Sequence, residues 1–165
     1  MAKRLHIIRH GKAEPFGLVS SDFQRTLAPR GAADAKKAGI ELRKRGISPE
    51  LLISSPAPRA LYTLRLIAAE LKMDPDSVLT DTLLYEGGME ELLGVVRAFP
   101  DSVEEAMLCG HNPGVSELVA RLCAAPCHGM GTAEVVSLSL ETDTWRSAGA
   151  CDCRMIGRIS SDRRE

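Results

Sequence analysis

The chain has 165 residues, a formal net charge of −1 and an apolar fraction of 44%. A chain of this length fits one domain that buries a full-sized core. The nearly balanced charge argues against a surface-wide basic field for nucleic acid, and no apolar run approaches the roughly 20 residues that span a bilayer. The composition therefore predicts a single globular domain over residues 1–165 that binds neither nucleic acid nor membrane.

The first apolar segment follows two basic residues, as the apolar region of a secretion signal would. It is interrupted after a few residues by Arg9 and His10, so it lacks the length and the cleavage site that a signal peptide requires. Residues 5–9 are therefore predicted to form the first β-strand, and the chain is predicted to be cytoplasmic.

Short apolar runs then alternate with longer helical patterns, which is typical of an α/β domain with a largely parallel sheet. The predicted elements are a helix from Pro29 to Gly46, a strand at 51–53, a helix at 57–73, a strand at 78–80, a helix at 89–99, a strand at 106–109, a helix at 115–122, a strand at 135–140 and an edge strand at 153–159. Residues 12–28 are predicted to be a polar loop, and residues 160–165 a frayed terminus. The pattern predicts a three-layer α/β/α sandwich whose mostly parallel sheet carries an antiparallel edge strand.

The cysteines give little indication of a metal site or of disulfides. They are Cys109, Cys123, Cys127, Cys151 and Cys153. An odd number without a secretion signal argues against a disulfide framework. Cys123, Cys127 and His128 form a possible ligand cluster, but structural zinc normally needs four well-spaced ligands. We therefore predict incidental thiols, no metal and an exposed His128 in its glycine-rich loop.

Polar residues follow three of the predicted strands at the point where each strand ends. They are Arg9-His10-Gly11 after the first strand, Ser54-Ser55-Pro56 with Arg59 beyond it after the second, and Gly110-His111-Asn112-Pro113 after the fourth. In open parallel sheets the ligand site lies beyond the carboxyl ends of the strands. Two histidines and two arginines from distant parts of the sequence are therefore expected to meet at one site.

These residue types suit phosphoryl transfer. Neutral imidazole is a good nucleophile near pH 7, and arginine offers a planar fork of donors that matches phosphate oxygens. A second histidine can stabilise charge on those oxygens in the transition state. Gly11 allows the backbone to turn close to a bound anion without interference from a Cβ atom. The amino ends of the helices after Ser55 and His111 would add positive dipole ends.

The three motifs together, with Ala60 and Thr63 after Arg59, resemble the histidine phosphatase superfamily, which has the phosphoglycerate mutase-like fold. The resemblance covers nearly the whole chain. Within the superfamily the chain is most similar to the SixA-type phosphohistidine phosphatases. The features that indicate this subgroup are the small size, the polar segment 20–25 before Leu27 and Gly31, and His111-Asn112-Pro113-Gly114.

The resemblance implies that His10 is the nucleophile that becomes phosphorylated. Arg9 and Arg59 would hold the phosphoryl group, and His111 would complete the pocket. Water would then hydrolyse the phosphohistidine intermediate and release inorganic phosphate, with no metal or other cofactor.

Arg25 matches a further arginine of this subgroup, which implies that it also contacts the phosphate. The alternative is a surface ion pair with Asp22 or Asp34. Asp22 itself is predicted to be a hydrogen-bonding loop residue rather than a proton donor. His6, which alternates with Ile7 on the first strand, is predicted to be a packed or edge histidine.

The proton donor determines which substrate is expected. The alcohol of a phosphate ester leaves as a poor alkoxide and needs a general acid, whereas the imidazole of phosphohistidine leaves more easily. The SixA-type group has no obvious acid, but Glu86 lies where other branches carry theirs. The leading function is therefore dephosphorylation of a phosphohistidine protein. The alternatives are a small-molecule phosphatase or mutase-like enzyme with Glu86 as acid, and an inactive module that binds phosphoproteins.

Overall fold

The computed structural model describes residues 2–15, 17, 21–127 and 129–161. The predictions for Ser20, for His128 and for residues 162–165 therefore lie outside the described residues.

Six β-strands form one sheet. They are β1 (Lys3–Arg9), β2 (Leu51–Ser54), β3 (Leu79–Thr80), β4 (Glu105–Gly110), β5 (Val135–Leu140) and β6 (Cys153–Ile159), and their spatial order is β3-β2-β4-β1-β5-β6. The pairs β1–β4, β2–β4 and β2–β3 are parallel, whereas β5 is antiparallel to both β1 and β6. The predicted mostly parallel sheet is confirmed, with the reversed strand β5 one place inside the edge formed by β6.

Helices cover both faces of this sheet. They are α1 (Pro29–Lys44), α2 (Pro58–Glu70), α3 (Leu83–Glu86), α4 (Met89–Arg97) and α5 (Gly114–Cys123). Ile8 of β1 packs in one core cluster with residues of α1 and α2, such as Leu42 and Leu64. Its neighbour Ile7 belongs to the opposite cluster, which contains Leu92 of α4 and Leu118 of α5. The alternation of side chains along β1 thus contributes to both cores and produces the predicted three layers.

The helix starts lie within one residue of the predicted ones. Helices α1, α2 and α4 end earlier than predicted, whereas α5 ends one residue later. Pro29 and Pro58 stand at the first position of their helices. A backbone N–H there would have no acceptor within the helix, so no hydrogen bond is lost by proline at this position. The helix predicted at 57–73 ends at Glu70, and Pro75–Ser77 forms a separate 3₁₀ turn. Among the described helices, none has the length and apolar character to cross a membrane.

His6 is a structural residue within the sheet. Its side chain is fully buried, with Nδ1 2.7 Å from Ser137 Oγ and Nε2 2.8 Å from Glu105 Oε2. Both ring nitrogens are therefore satisfied by neighbouring strands, as a packed histidine requires.

Candidate active site

The three predicted motifs meet because their strands are neighbours in the sheet, in the order β2-β4-β1. Backbone pairing continues one residue past the strands: the His10 N–H donates to Gly110 O at 3.1 Å, and the Ser55 N–H donates to Cys109 O at 3.0 Å. The rings of His10 and His111 consequently lie close together, with centroids 5.0 Å apart.

A cavity of about 600 Å³ opens at this carboxyl edge of the sheet. It is lined by Arg9, His10, Lys12, Ala13, Asp22, Arg25, Arg59, Tyr85, His111, Asn112 and Thr132. The structure thus brings five of the predicted site residues to one cavity, namely Arg9, His10, Arg25, Arg59 and His111. Gly11 and Glu86 are not among the lining residues.

His10 is held in one tautomer by its own neighbour. The His10 Nδ1–H donates to the Gly11 carbonyl oxygen at 2.6 Å. A carbonyl oxygen can only accept, so the proton resides on Nδ1 and the lone pair resides on Nε2. Burial lowers the pKa of His10 to about 4, and the positive charges of Arg59 and Arg9 contribute to the decrease. The result is a neutral, oriented imidazole with Nε2 as its nucleophilic atom.

His111 is neutral for similar reasons. Burial lowers its pKa to about 3, with further contributions from His10 and Arg59. Its Nε2 lies 2.8 Å from Ser55 Oγ, and the Tyr85 ring packs edge-on against it with centroids 5.3 Å apart. The ring is therefore fixed between a hydroxyl group and an aromatic wall.

These shifts predict the protonation of the free site. We expect the ring resonances of His10 to titrate with a midpoint near pH 4 in NMR spectra, whereas the unfolded chain in urea titrates near the ordinary value of about 6.5. Added inorganic phosphate should raise the midpoint, because a dianion beside the imidazole favours its charged form. A midpoint at or above 6.5 in the phosphate-free protein would contradict this description of the site.

The arginines supply hydrogen-bond donors that the protein leaves partly unused. The side chain of Arg9 donates from Nη1 to Met130 O at 3.0 Å, and that of Arg59 donates from Nη1 and Nη2 to Asp22 O and Oδ2, both at 2.8 Å. The Nε atoms of Arg9 and Arg59 are buried without a hydrogen-bond partner. Arg65 Nε shares this property but lies outside the cavity lining. The guanidinium groups of Arg9, Arg25 and Arg59 all line the cavity, where their planar sets of donors suit an oxyanion.

Asp22 connects three side chains that line the cavity. Its carboxylate accepts hydrogen bonds from Arg59, from Arg25 Nη1 at 3.2 Å and from Tyr85 Oη at 3.0 Å. Burial alone would raise the pKa of this carboxyl, but the hydrogen bonds from Arg59, Arg25 and Tyr85 together lower it. Asp22 is therefore an ionised hydrogen-bond acceptor, as the sequence predicted. Arg25 forms the predicted ion pair with Asp22 and also lines the cavity, and its contact with phosphate remains a prediction.

Gly11 brings the end of β1 close to two helices. Its N–H donates to Thr63 Oγ1 at 2.9 Å, and Thr63 in turn donates to Arg59 O at 2.7 Å. A Cβ atom at Gly11 would lie 2.8 Å from the carbonyl oxygen of Gly31 in α1. Glycine is required for this close approach. Direct contact of Gly11 with phosphate remains a prediction, because its N–H already has a partner.

Glu86 ends the short helix α3 and has an exposed side chain. The preceding residue, Tyr85, is the one whose side chain lines the cavity. The structure therefore does not bring Glu86 to the cavity with the other predicted residues, and its role as an acid remains a prediction.

Several lining residues were not predicted from the sequence. Tyr85 belongs to a helix of only four residues, which is too short to give a periodic pattern. Lys12 directly follows the motif Arg9-His10-Gly11, so its position in the sequence could have indicated that it lines the cavity. Asn112 donates from Nδ2 to Met130 O at 2.8 Å, the same carbonyl oxygen that Arg9 uses. Within the described residues, no group of three or more His, Cys, Asp or Glu side chains is arranged to hold a metal ion.

The fold and the site together define an α/β protein in which two neutral histidines and three arginines line a cavity at the carboxyl edge of the sheet. The sequence profile of the histidine phosphatase superfamily (branch 1) matches residues 5–113, more than half of the chain. The chain belongs to this superfamily, and it is a phosphatase.

Similar proteins include one uncharacterised relative and two phosphatases of solved structure. An uncharacterised protein of Mycobacterium leprae is 30% identical over 118 residues, which are 70% of this chain and 70% of that protein. The protein histidine phosphatase SixA in complex with tungstate is 24% identical, with a TM-score of 0.81 over 95% of this chain and 96% of SixA. A mycobacterial glucosyl-3-phosphoglycerate phosphatase is 18% identical, with a TM-score of 0.67 over 98% of this chain and 100% of that chain. The two solved structures share the fold of this protein.

Proposed function

We propose that this phosphatase removes the phosphoryl group from phosphohistidine on a protein, through a covalent intermediate on His10. The observation that carries the proposal is the neutral His10 imidazole, whose lone pair is on Nε2 and whose ring lies among Arg9, Arg25 and Arg59. A nucleophile of this kind beside three fixed cations matches the needs of phosphoryl transfer.

In the first step, His10 Nε2 attacks the phosphorus and the bond to the leaving group breaks on the opposite side. The guanidinium groups of Arg9, Arg25 and Arg59, which line the cavity, balance the negative charge on the phosphoryl oxygens. The hydrogen bond from His10 Nδ1 to Gly11 O persists and stabilises the positive charge that develops on the ring. The phosphoryl group is then on Nε2.

In the second step, water attacks the same phosphorus and His10 leaves as a neutral imidazole. Inorganic phosphate is released and the enzyme returns to its starting tautomer. The low pKa values of His10 and His111 favour this return, because both rings are more stable without charge in the empty cavity. His111 contributes an N–H or, once a dianion raises its pKa, a full positive charge beside the phosphoryl oxygens.

The preference for a P–N bond rests on the acids near the cavity. Among the described lining residues, Asp22 is the one carboxylate, and its lowered pKa keeps it ionised at neutral pH. A phosphate ester would need a protonated acid beside its leaving oxygen. The unphosphorylated nitrogen of phosphohistidine takes up a proton from solvent before the transfer, so its imidazole leaves as a neutral group without an acid from the protein. This site therefore fits phosphohistidine better.

A protein substrate is favoured by the short segment between Gly11 and Pro29. A site without a long lid admits a side chain that is attached to a folded partner. We therefore propose a phosphorylated protein as the partner and residues 1–165 as a single catalytic domain. A cytoplasmic setting is part of the proposal.

A small-molecule phosphomonoesterase is the second candidate. It is supported by the fold shared with glucosyl-3-phosphoglycerate phosphatase and by Glu86, which directly follows the lining residue Tyr85. A modest movement of α3 on substrate binding would be needed to bring this carboxyl to a leaving group.

A comparison of three substrates separates the two candidates. We expect the wild type to hydrolyse a phosphohistidine peptide with a higher kcat/KM than a phosphoserine peptide or an aryl phosphate. Glu86→Gln should leave all three rates within about two-fold of wild type, as should the matched control Glu90→Gln, which alters another exposed carboxylate. If Glu86→Gln alone slows phosphoserine hydrolysis by ~100-fold or more, Glu86 is a general acid and the esterase candidate is correct.

A further inference from the structure

Four of the five cysteines surround the contact between the end of α5 and the start of β6. Cys123 Sγ and Cys153 Sγ are 3.8 Å apart. Burial raises the pKa of the Cys153 thiol, and its neighbours Cys123 and Cys151 add to the increase. Burial also raises the pKa of the Cys127 thiol, with smaller contributions from Glu134 and Cys123. The thiols therefore form one group around the Cys123–Cys153 contact rather than four separate side chains.

The Cys123–Cys153 pair lies at the end of the sheet opposite the active site. Cys153 pairs with Leu140, which in turn pairs with Lys3 at the start of β1. Helix α5 begins at Gly114, beside His111, and runs away from the cavity to Cys123. The thiols have no part in the phosphatase chemistry described above, so their proximity needs a separate explanation.

The thiols are open to small reagents. Cys123 and Cys153 are each half-buried, and a second cavity of about 360 Å³ is lined by Cys123, Cys127 and Cys153. A molecule of the size of hydrogen peroxide can therefore reach the contact between the two sulfur atoms.

We propose that Cys123 and Cys153 are a reversible redox site that closes to a disulfide when the protein meets a two-electron oxidant such as hydrogen peroxide. The two sulfur atoms are 3.8 Å apart, and closure to the S–S bond length of about 2.05 Å needs an approach of less than about 2 Å. Thirty residues separate the two cysteines in sequence, so the bond would join two elements that are distant along the chain.

The oxidation proceeds in two steps. The Cys123 thiolate attacks one peroxide oxygen, the O–O bond breaks, and the departing hydroxide takes up a proton to become water. The Cys153 sulfur then displaces hydroxide from the Cys123 sulfenic acid, loses its proton and forms the disulfide, with a second water as product. The same disulfide and the same two waters result if Cys153 makes the first attack.

The disulfide would join the edge strand β6 to the end of α5. Residues 124–131 follow Cys123, and the Met130 carbonyl oxygen at their far end accepts hydrogen bonds from Arg9 and Asn112. Anchoring Cys123 to β6 restricts the unfolded chain and should raise the melting temperature by about 5–10 °C. Activity should change little, because the bond is at the opposite end of the sheet.

The test uses the full-length protein treated with hydrogen peroxide, followed by alkylation of remaining thiols and non-reducing peptide mapping. Wild type and Cys151→Ser should both give a peptide pair linked through Cys123 and Cys153, together with a higher melting temperature that a thiol reductant reverses. Cys153→Ser and Cys123→Ser should give neither result, and the second variant guards against a folding defect in the first.

Two outcomes would overturn the proposal. One is a linked pair that contains Cys127 or Cys151 in the wild type instead of the proposed pair. The other is the recovery of Cys123 and Cys153 as alkylated thiols after an excess of oxidant. Both outcomes are independent of whether the substrate is phosphohistidine.

Discussion

Replacing His10 by Asn is expected to stop turnover of a phosphohistidine peptide while the fold remains intact. The amide nitrogen of Asn can still donate to Gly11 O, which His10 Nδ1 contacts at 2.6 Å, but Asn offers no nucleophile in place of Nε2. Loss of a covalent nucleophile lowers kcat by ~10⁴-fold or more in comparable enzymes. Steady-state kinetics measures the loss, and thermal unfolding checks the fold.

Binding of inorganic phosphate provides the matching control. The arginines are unchanged in His10→Asn, so the dissociation constant measured by calorimetry should stay within a few-fold of wild type. If His10→Asn retains a tenth or more of the wild-type kcat, His10 is not the nucleophile.

Replacing Arg59 by Lys is the second change for which we expect a large effect. Lysine keeps the positive charge but loses the planar fork, and with it the buried Nε–H donor and the paired hydrogen bonds to Asp22. Removal of one pre-organised donor to a developing charge lowers kcat by ~10²–10³-fold. We expect a loss of this size for Arg59→Lys with the aryl phosphate and the phosphohistidine peptide alike.

Arg65→Lys is a matched control on the same helix. Arg65 also has a buried Nε without a partner, but it does not line the cavity. Its substitution should therefore leave kcat and KM near the wild-type values while testing any general effect on α2. Equal losses in the two variants would show that the defect comes from the helix and not from the phosphate contact.

Burial keeps both histidines neutral before substrate arrives, and the charge balance of the cavity reinforces it. Three arginines and the ionised Asp22 leave the site positively charged, so a further charge on either imidazole is unfavourable. A phosphoryl dianion reverses this balance on binding. The site is therefore suited first to hold a neutral nucleophile and then to stabilise the ring when it carries a phosphoryl group.

The sequence predicted the elements whose signals are local and repeated. The apolar strands 5–9, 51–53 and 106–109 and the amphipathic helices between them have clear periods, and their parallel arrangement determines that the three motifs meet. The family profile that matches residues 5–113 confirms the resemblance that these motifs indicated.

Other features of the site depend on long-range contacts that a sequence pattern does not contain. The hydrogen bond between Asp22 and Arg59 joins a loop to a helix 37 residues away. The short helix α3 places Tyr85, and not Glu86, in the lining of the cavity. Likewise, the contact between Cys123 and Cys153 arises only when β6 adds to the sheet beside α5. Such pairs depend on the packing of whole elements, so they become visible only in the folded chain.

The most direct test of the central claim is to trap the phosphoryl group on the enzyme. The wild-type protein is mixed with a radiolabelled phosphohistidine peptide, quenched in alkali within a fraction of a turnover, and mapped by mass spectrometry. The account predicts one labelled site, Nε2 of His10, with a label that is stable in alkali, lost in acid and absent from His10→Asn. Steady turnover with no covalent label, or a label on another residue, would contradict it.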